Sequence, residues 1–271
     1  MEKIKDALEK AKQIQLTSNN KSQKRILSSN INYFDLENIS YKKTKKIKVS
    51  KNSLRSKRIL IGENKDVITD QYKVLRTRVL QQMKKNNWST LAISSPKEGC
   101  GKTLTAINLS ISIARDVNQS VLLVDMDLRR PNIHNYFLTQ EEPGLSDYLV
   151  KEKNLEDILF NPGIERFVVL PGNKSILNSS EMLSSPKVVQ LVNELKNKYS
   201  NRLVIFDMPP LLSCDDMLAF IPYVDAVMLV VDDGVTLKQD LKRSVELVEL
   251  DKLLGVVLNK SKLSSKTSKY Y

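Results

Sequence analysis

The chain has 271 residues, of which 41% are apolar and 27% are charged, and it carries a formal net charge of +12. This length suits one α/β domain with extensions. No apolar run approaches the roughly 20 residues of a membrane-spanning helix, and the first residues lack the apolar core of a signal peptide, so the sequence predicts a cytoplasmic protein. The two cysteines, Cys100 and Cys214, have no metal-ligand spacing and are predicted to be reduced thiols.

The positive charge is concentrated near the N-terminus. Residues 1–58 contain 16 Lys and Arg against 5 Asp and Glu, whereas the rest of the chain contains 27 against 26. A nucleic-acid-binding domain carries its basic surface on the folded unit. Because the excess charge here lies in the N-terminal segment, we expect no nucleic-acid partner.

Residues 1–58 are predicted to form a basic N-terminal helix followed by a linker. Apolar residues recur at helical spacing between Ile4 and Ile14, which indicates a helix that packs on its own domain, on a partner or on a membrane surface. Residues 17–57 are rich in Ser, Asn and Lys without periodicity and are predicted to be largely disordered. Their lysines would favour contact with an anionic membrane.

The first predicted elements of the folded domain lie in residues 59–90. Residues 59–61 form a short apolar run that predicts a first strand. Residues 66–83 carry apolar side chains at helical spacing and predict an amphipathic helix.

The next stretch predicts a phosphate-binding loop. Residues 91–93 are apolar and typical of a buried strand, a turn with Gly99 and Gly101 follows, and residues 104–114 show the apolar spacing of a helix. A helix N-terminus offers unpaired N–H groups, and glycines let that backbone approach a phosphate. This order of elements therefore predicts a nucleotide site.

Two residues at the start of that helix carry the chemistry. Lys102 would reach the β- and γ-phosphates, and the hydroxyl of Thr103 would bind Mg²⁺. Pro96 stands where the pattern G-x-x-x-x-G-K-[ST] has its first glycine, so a plain surface loop is the alternative.

The remainder of the domain predicts a parallel sheet. Near-continuous apolar strands alternate with helical patterns, which is typical of a sheet covered by helices on both faces. The predicted strands are residues 121–125, 166–170, 203–207, 227–231 and 255–258, and the predicted helices are residues 187–199, 216–220 and 237–250. The predicted fold class is therefore α/β, a three-layer P-loop NTPase sandwich with a mainly parallel sheet over residues 59–262.

Three acids follow the predicted strands. Asp125 and Asp127 come at the end of one strand, and Asp207 comes at the end of another. Ligands of parallel sheets bind beyond the C-terminal ends of the strands, so the three carboxylates should lie beside the phosphate loop. Because buried carboxylates are costly without a partner, a Mg²⁺–phosphate site would compensate them.

The loop resembles the deviant Walker A motif of the ParA/MinD-type P-loop ATPases. The shared pattern is Lys97-x-Gly99-x-Gly101-Lys102-Thr103. The resemblance implies that the extra lysine, Lys97, acts on the nucleotide of a neighbouring subunit.

Further motifs narrow the resemblance to the bacterial tyrosine kinases. Residues 124–131 resemble the Walker A′ motif D-x-D-x-R of that family, and residues 205–210 resemble its Walker B motif, an apolar run followed by D-x-P-P. Residues 71–77 are similar to the oligomerisation motif E-Y-R-x-L-R-T, with Gln71 and Lys73 in place of the acid and the first arginine.

The two ends of the chain are similar to the soluble autokinases encoded with exosortase-type exopolysaccharide systems. The tyrosine cluster of the family is reduced here to Tyr270-Tyr271, within the predicted C-terminal tyrosine tail of residues 263–271. The resemblance implies an ATP-dependent protein-tyrosine autokinase that regulates exopolysaccharide or capsule biosynthesis. Its phosphoacceptors would be Tyr270 and Tyr271 of a neighbouring copy, with other tyrosines such as Tyr33 or Tyr41 as the alternative.

The resemblance also implies roles for individual residues. ATP would be bound by Gly99, Cys100, Gly101, Lys102, Thr103 and Leu104, with Asn259 contacting adenine. Mg²⁺ would be held by Thr103, Asp127 and Asp207. Asp125 is the expected base for the tyrosine hydroxyl, with Asp127 as the alternative. Lys102, with Lys97, would neutralise charge in the transition state.

The expected partners follow from the same resemblance. We expect a homo-oligomer and a separate membrane adaptor of the chain-length-determinant type, since no membrane segment is fused to the chain. The protein would then lie at the inner face of the plasma membrane.

Two other functions stay open from the sequence. One is a ParA/MinD-like switch that hydrolyses ATP without phosphorylating protein, and the other is a nucleotide-dependent scaffold without enzymatic activity. The D-x-D-x-R and D-x-P-P motifs favour the kinase, whereas the short tyrosine tail favours the switch.

Overall fold

The computed structural model describes residues 44–61, 67–116, 119–138, 140, 142–197 and 202–261. The strands are β1 (Lys45–Lys46), β2 (Thr90–Ser94), β3 (Ser120–Asp125), β4 (Phe160–Asn161), β5 (Phe167–Leu170), β6 (Arg202–Asp207), β7 (Ala226–Asp232) and β8 (Leu253–Asn259). The helices are α1 (Lys51–Ser56), α2 (Val67–Asn86), α3 (Lys102–Ala114), α4 (Ile133–Phe137), α5 (Leu145–Lys151), α6 (Leu155–Ile158), α7 (Ser179–Leu183), α8 (Pro186–Asn197), α9 (Asp216–Phe220) and α10 (Lys238–Val248).

The strands form a single mainly parallel sheet in the order β1-β4-β5-β3-β6-β2-β7-β8. Neighbouring strands are parallel except for the antiparallel pair β4 and β5. Strands β2, β3 and β7 are buried along their whole length, which explains their continuous apolar sequences. The predicted α/β fold with a mainly parallel sheet is therefore confirmed.

Helices cover the sheet with two separate apolar cores. One core joins the sheet to α2 and α3 through residues such as Met83 and Ile107, and the other joins it to α5, α8 and α9 through residues such as Leu191 and Phe220. Every residue of α3 from Thr105 to Ala114 is buried. This burial holds the helix that follows the predicted phosphate loop firmly against the sheet.

The predicted first strand at residues 59–61 is wrong, because these residues form no strand. The backbone N–H of Leu60 donates to Oδ1 of Asn108 at 2.9 Å, and Nδ2 of Asn108 donates to the carbonyl of Arg58 at 3.1 Å. The side-chain amide of Asn108, a buried residue of α3, thus makes the hydrogen bonds that a neighbouring strand would otherwise make.

Residues 44–57, the last part of the segment predicted to be largely disordered, contain two short elements. Strand β1 pairs with β4, and α1 begins with Ser50 accepting from the N–H of Ser53 and buries Leu54. Elements this short carry too little periodicity to stand out in a lysine-rich sequence. The sheet therefore begins before the predicted domain start at residue 59.

Several predicted features lie outside the described residues. These are the amphipathic helix near Ile4, the rest of the basic segment up to residue 43, and the C-terminal tail with Tyr270 and Tyr271. Among the helices that the structure describes, none combines the length and the apolar character needed to cross a membrane.

Candidate nucleotide site

A cleft of about 420 Å³, lined by several charged side chains, lies at the C-terminal edge of the parallel strands. This volume lies within the range of about 300–1,000 Å³ that is usual for small-molecule sites. Of the predicted ligand-binding residues, the cleft is lined by Gly99, Gly101, Lys102, Thr103, Leu104 and Asp127. The parallel topology brings these residues together from the turn after β2, the first turn of α3 and the loop after β3.

The turn between β2 and α3 depends on its glycines. Gly99 and Gly101 have φ angles of +80° and +88°, in the left-handed region that glycine adopts without strain. A Cβ atom on Gly101 would lie 2.3 Å from Nδ2 of Asn259. Glycine at position 101 is therefore required both by the backbone conformation and by the close approach of β8.

Lys102 is held above the loop by two carboxylates. Its Nζ donates to Oδ2 of Asp127 at 2.9 Å and lies 3.8 Å from Oδ1 of Asp207. Burial alone would lower the pKa of Lys102, but the charges of Asp207 and Asp127 outweigh it and raise the pKa above its ordinary value. The ammonium is therefore charged at neutral pH and available to polyphosphate.

Thr103 and Asp207 form the second contact of the cluster. The hydroxyl of Thr103 donates to Oδ2 of Asp207 at 2.6 Å, while Oδ1 of Asp207 is buried and accepts no hydrogen bond. Burial raises the pKa of Asp207, although Lys102 and Thr103 oppose this shift. A buried carboxylate oxygen without a hydrogen bond is the kind of group that a bound cation would satisfy.

Asp125 lies behind the cleft and is fully buried. Its Oδ2 accepts the backbone N–H groups of Asn132 and Ile133, both at 2.8 Å, and so fixes the start of α4. Burial and the neighbouring charge of Asp207 raise the pKa of Asp125 to about 8, although the N–H of Ile133 opposes the shift. Asp125 is therefore largely protonated at neutral pH.

Asp127 differs from Asp125 in facing the cleft. Its Oδ1 accepts the backbone N–H of Arg130 at 3.0 Å, and its Oδ2 accepts from Lys102. The structure thus brings Lys102, Asp125, Asp127 and Asp207 together as predicted, but places only Asp127 of the β3 pair along the cleft wall.

We expect stability to depend on the ionisation of Asp125. Its pKa rises from 3.8 to about 8 on folding, so the folded state holds a proton that the unfolded state releases between these pH values. Stability must then fall as pH rises through this range, by at most about 1.4 kcal/mol per pH unit for one group. Asp125→Asn, which cannot ionise, should therefore gain in Tm relative to the wild type between pH 5 and pH 8. Scanning calorimetry without nucleotide measures this, and a Tm difference that does not change with pH would contradict the expectation.

Two predicted residues point away from the cleft in this structure. Nζ of the exposed Lys97 donates to Oδ2 of Asp240 on α10 at 2.7 Å. Nδ2 of Asn259 donates to the carbonyl of Cys100 at 2.8 Å, so this amide contacts the loop backbone. The implied roles of Lys97 across a subunit interface and of Asn259 at adenine stay predictions.

Sequence reasoning missed two further residues that line the cleft or the loop. Tyr136 on α4 lines the cleft, and burial and the nearby charge of Asp207 raise its pKa. Lys260, just after β8, donates to the carbonyl of Gly99 at 2.7 Å. A lysine beside Asn259 at the end of the last strand was the available signal for the second residue.

Arg129 belongs to the D-x-D-x-R stretch, and the structure supplies its partner. Its Nε donates to Oδ1 of Asp216 at 2.9 Å, and the Asp216 side chain is fully buried. This ion pair ties the loop after β3 to the start of α9 at the wall of the cleft.

The oxygen donors of the cleft fit Mg²⁺ in part. Within the described residues, no cluster of three or more His, Cys, Asp or Glu side chains is arranged to hold a metal ion by itself. Mg²⁺ in nucleotide sites needs only one or two protein oxygen ligands, since water and phosphate complete its shell. The Thr103 hydroxyl and the Asp207 carboxylate are oxygen donors of this type.

Comparison with known proteins supports the same site. A family model described as an AAA domain matches residues 88–249. Tyrosine-protein kinase YwqD of Bacillus subtilis is 32% identical over 214 residues, which cover 78% of this chain and 89% of that protein.

Solved structures agree with the sequence comparisons. The crystal structure of the chimerical protein CapA2B2 is similar with a TM-score of 0.70 and 28% identity, over 81% of this chain and 94% of that one. The cell division ATPase MinD of Pyrococcus furiosus is similar with a TM-score of 0.54 and 27% identity, over 65% of this chain and 74% of that one. The chain therefore belongs to the AAA-domain proteins and, within them, to the bacterial tyrosine-protein kinases whose motifs its sequence resembles.

Proposed function

We propose that the protein transfers the γ-phosphoryl group of ATP to tyrosine residues on copies of itself and so regulates exopolysaccharide or capsule biosynthesis. The observation that carries this proposal is the position of Lys102. Its ammonium lies over a glycine turn at the start of α3, between the carboxylates of Asp127 and Asp207. In this arrangement the ammonium can bind a polyphosphate, and a neighbouring carboxylate can accept the proton of an incoming hydroxyl.

The loop and Lys102 would bind the phosphates of ATP. The first N–H groups of α3 and the glycine turn offer donors to phosphate oxygens. Lys102 is paired with the carboxylates of Asp127 and Asp207, and a polyphosphate would offer it a more strongly charged partner. Positioning and charge neutralisation of this kind supply most of the acceleration in phosphoryl transfer.

Thr103 and Asp207 are the residues that would hold Mg²⁺, with Asp127 close by. When bound, the ion would neutralise charge on the phosphate oxygens. The buried Oδ1 of Asp207, which accepts no hydrogen bond, supports this assignment.

Asp127 is our proposed base for the acceptor tyrosine, in place of Asp125. A phenol with a pKa of about 10 is a weak nucleophile at neutral pH, so a carboxylate within hydrogen-bonding reach assists it. Asp127 lines the cleft, whereas Asp125 is buried and bonded to the backbone of α4. The position of Asp127 on the cleft wall supports this choice.

Self-association through α2 is part of the proposal. Two residues of the oligomerisation motif on α2 face their own domain. Tyr72 is largely buried near Thr105 and Asn108. Arg76 donates to the carbonyl of Ser112 at 3.1 Å. The same helix exposes Ile68 and Val74, as well as Val67 near its start. An exposed apolar face on a helix is suited to contact with another copy.

A membrane adaptor and a location at the inner face of the plasma membrane remain part of the same proposal. The implied chain-length-determinant type of partner would bring the kinase to the site of polysaccharide assembly. The alternative function is an ATPase switch, which the similarity to MinD favours. The higher TM-score to CapA2B2 and the sequence similarity to YwqD favour the kinase.

Incubation of the full-length protein with Mg-ATP, followed by intact mass and site mapping, tests the proposed function. We expect phosphate on tyrosine, and most of it should disappear when Tyr270 and Tyr271 are both replaced by phenylalanine. Replacement of Tyr33 and Tyr41 by phenylalanine is the matched control and should leave most incorporation intact. Release of ADP without phosphoprotein, also in the presence of a membrane partner's cytoplasmic segment, would select the ATPase switch.

A further inference from the structure

The end of β8 contacts the phosphate loop through two consecutive side chains. Nδ2 of Asn259 donates to the carbonyl of Cys100 at 2.8 Å, and Nζ of Lys260 donates to the carbonyl of Gly99 at 2.7 Å. Nζ of Lys260 also donates to Oδ2 of Asp232 at 2.6 Å. Two successive loop carbonyls are therefore held on the side of the loop that faces β7 and β8.

The planarity of the peptide bond gives these contacts a consequence for the nucleotide. In a trans peptide, the N–H points away from the carbonyl of the preceding residue. Holding the Gly99 carbonyl outward thus fixes the direction of the Cys100 N–H, and holding the Cys100 carbonyl outward does the same for the Gly101 N–H. Phosphate loops bind phosphate through such backbone N–H groups.

The backbone of Lys260 provides a second, independent observation. Its φ angle is +59°, in the left-handed region that a lysine adopts only at a cost in free energy. Glycine or asparagine would occupy this conformation more easily. Strained residues that persist in a fold are concentrated at binding and catalytic sites.

Asp232 explains why the ammonium of Lys260 stays in place. Asp232 ends β7 and pairs in register with Asn259 of β8, and its side chain is only 10% exposed. The carboxylate thus holds the Lys260 ammonium between the two strand ends and the loop. The loop contact is therefore anchored on the ends of two neighbouring strands, β7 and β8.

We propose that Lys260, together with Asn259, is a positioning residue that directs the N–H groups of Cys100 and Gly101 toward the nucleotide phosphates. The inference rests on the proposed binding of ATP in this cleft. Lys260 acts through the loop backbone, so its loss should weaken binding of both ATP and ADP while the fold persists.

Substitutions at Lys260 separate this role from a structural one. Lys260→Gly removes the ammonium and its ion pair with Asp232 but also relieves the left-handed backbone, so the two effects oppose each other and its Tm without nucleotide should stay close to that of the wild type. Its dissociation constants for ATP and ADP, measured by calorimetry, should rise by about tenfold, as expected for losing one charge-assisted hydrogen bond. Lys260→Arg keeps a charged donor and should restore most of the affinity.

Lys252 offers a matched control at the other end of the same strand. Its Nζ donates to the carbonyl of Ile221 at 2.8 Å, which is also a lysine-to-backbone contact but lies away from the loop. Lys252→Met should leave both dissociation constants unchanged. Wild-type affinity in Lys260→Gly, or an equal loss in Lys260→Gly and Lys260→Arg, would overturn the inference while the proposed function stands. Absence of ATP and ADP binding by the wild-type protein would overturn both.

Discussion

Replacement of Lys102 by alanine should lower ATP-dependent tyrosine phosphorylation by about 10²–10³-fold, the usual loss when one preorganised donor to a developing charge is removed. Lys102 is the cation between Asp127 and Asp207 at the start of α3. Without it, Asp127 and Asp207 lose the ammonium that lies beside them, and their charge would oppose an entering polyphosphate. Phosphotyrosine formation over time, measured by mass spectrometry at saturating Mg-ATP, gives the result.

The Lys102 experiment needs a test of folding and a control. The buried carboxylates lose a compensating charge in Lys102→Ala, so Tm is measured beside activity, and Lys102→Met is included because it keeps the apolar stem. Lys84→Ala, which removes an exposed lysine from the end of α2, should leave activity unchanged. Phosphorylation at wild-type rates in a folded Lys102→Met variant would contradict the proposed mechanism.

The second large effect is expected at Asp127, and it distinguishes this residue from Asp125 at the end of β3. Asp127→Asn should lower the turnover rate by about 10²–10⁴-fold, the usual contribution of a positioned general base. Asp125→Asn should change the rate far less, because Asp125 is fully buried and bonded to the backbone of α4 instead of lining the cleft. An asparagine at position 125 still offers an oxygen to the N–H groups of Asn132 and Ile133.

Each of these two variants is the control for the other, since both remove one carboxylate from the same strand end. Initial rates of phosphotyrosine formation at saturating Mg-ATP, with ATP affinity measured separately, distinguish loss of chemistry from loss of binding. If Asp125→Asn lost as much activity as Asp127→Asn while retaining its Tm, Asp125 would be the base.

The sequence alone predicted the nucleotide loop and the position of the acidic residues beside it. Lys102 and Thr103 follow a glycine turn after an apolar strand, and Asp125 and Asp207 end two further apolar strands. Strands of this kind, alternating with helices, are typical of a parallel sheet covered on both faces, and in such a sheet the strand ends that carry ligands share one edge. Local patterns therefore determined the location of the site.

Sequence patterns did not reveal the early part of the sheet. Strand β1 has only two residues, and α1 has six, so neither presents a full apolar period. Their positions depend on distant partners, since β1 pairs with β4 more than a hundred residues away in the sequence. The same holds for residues 59–61, whose hydrogen bonds go to Asn108.

Only the tertiary structure decided what individual side chains do within the site. Asp125 and Asp127 are two residues apart in one motif, yet one is buried under α4 and the other faces the cleft. Lys97 is paired with Asp240, and Lys260 with Gly99 and Asp232, across more than 25 residues in each case. The sequence by itself determined the fold, the loop and the set of acids, because these follow from local periodicity and strand ends. Which groups face the ligand depends on contacts between distant segments, and such contacts exist only after the chain has folded.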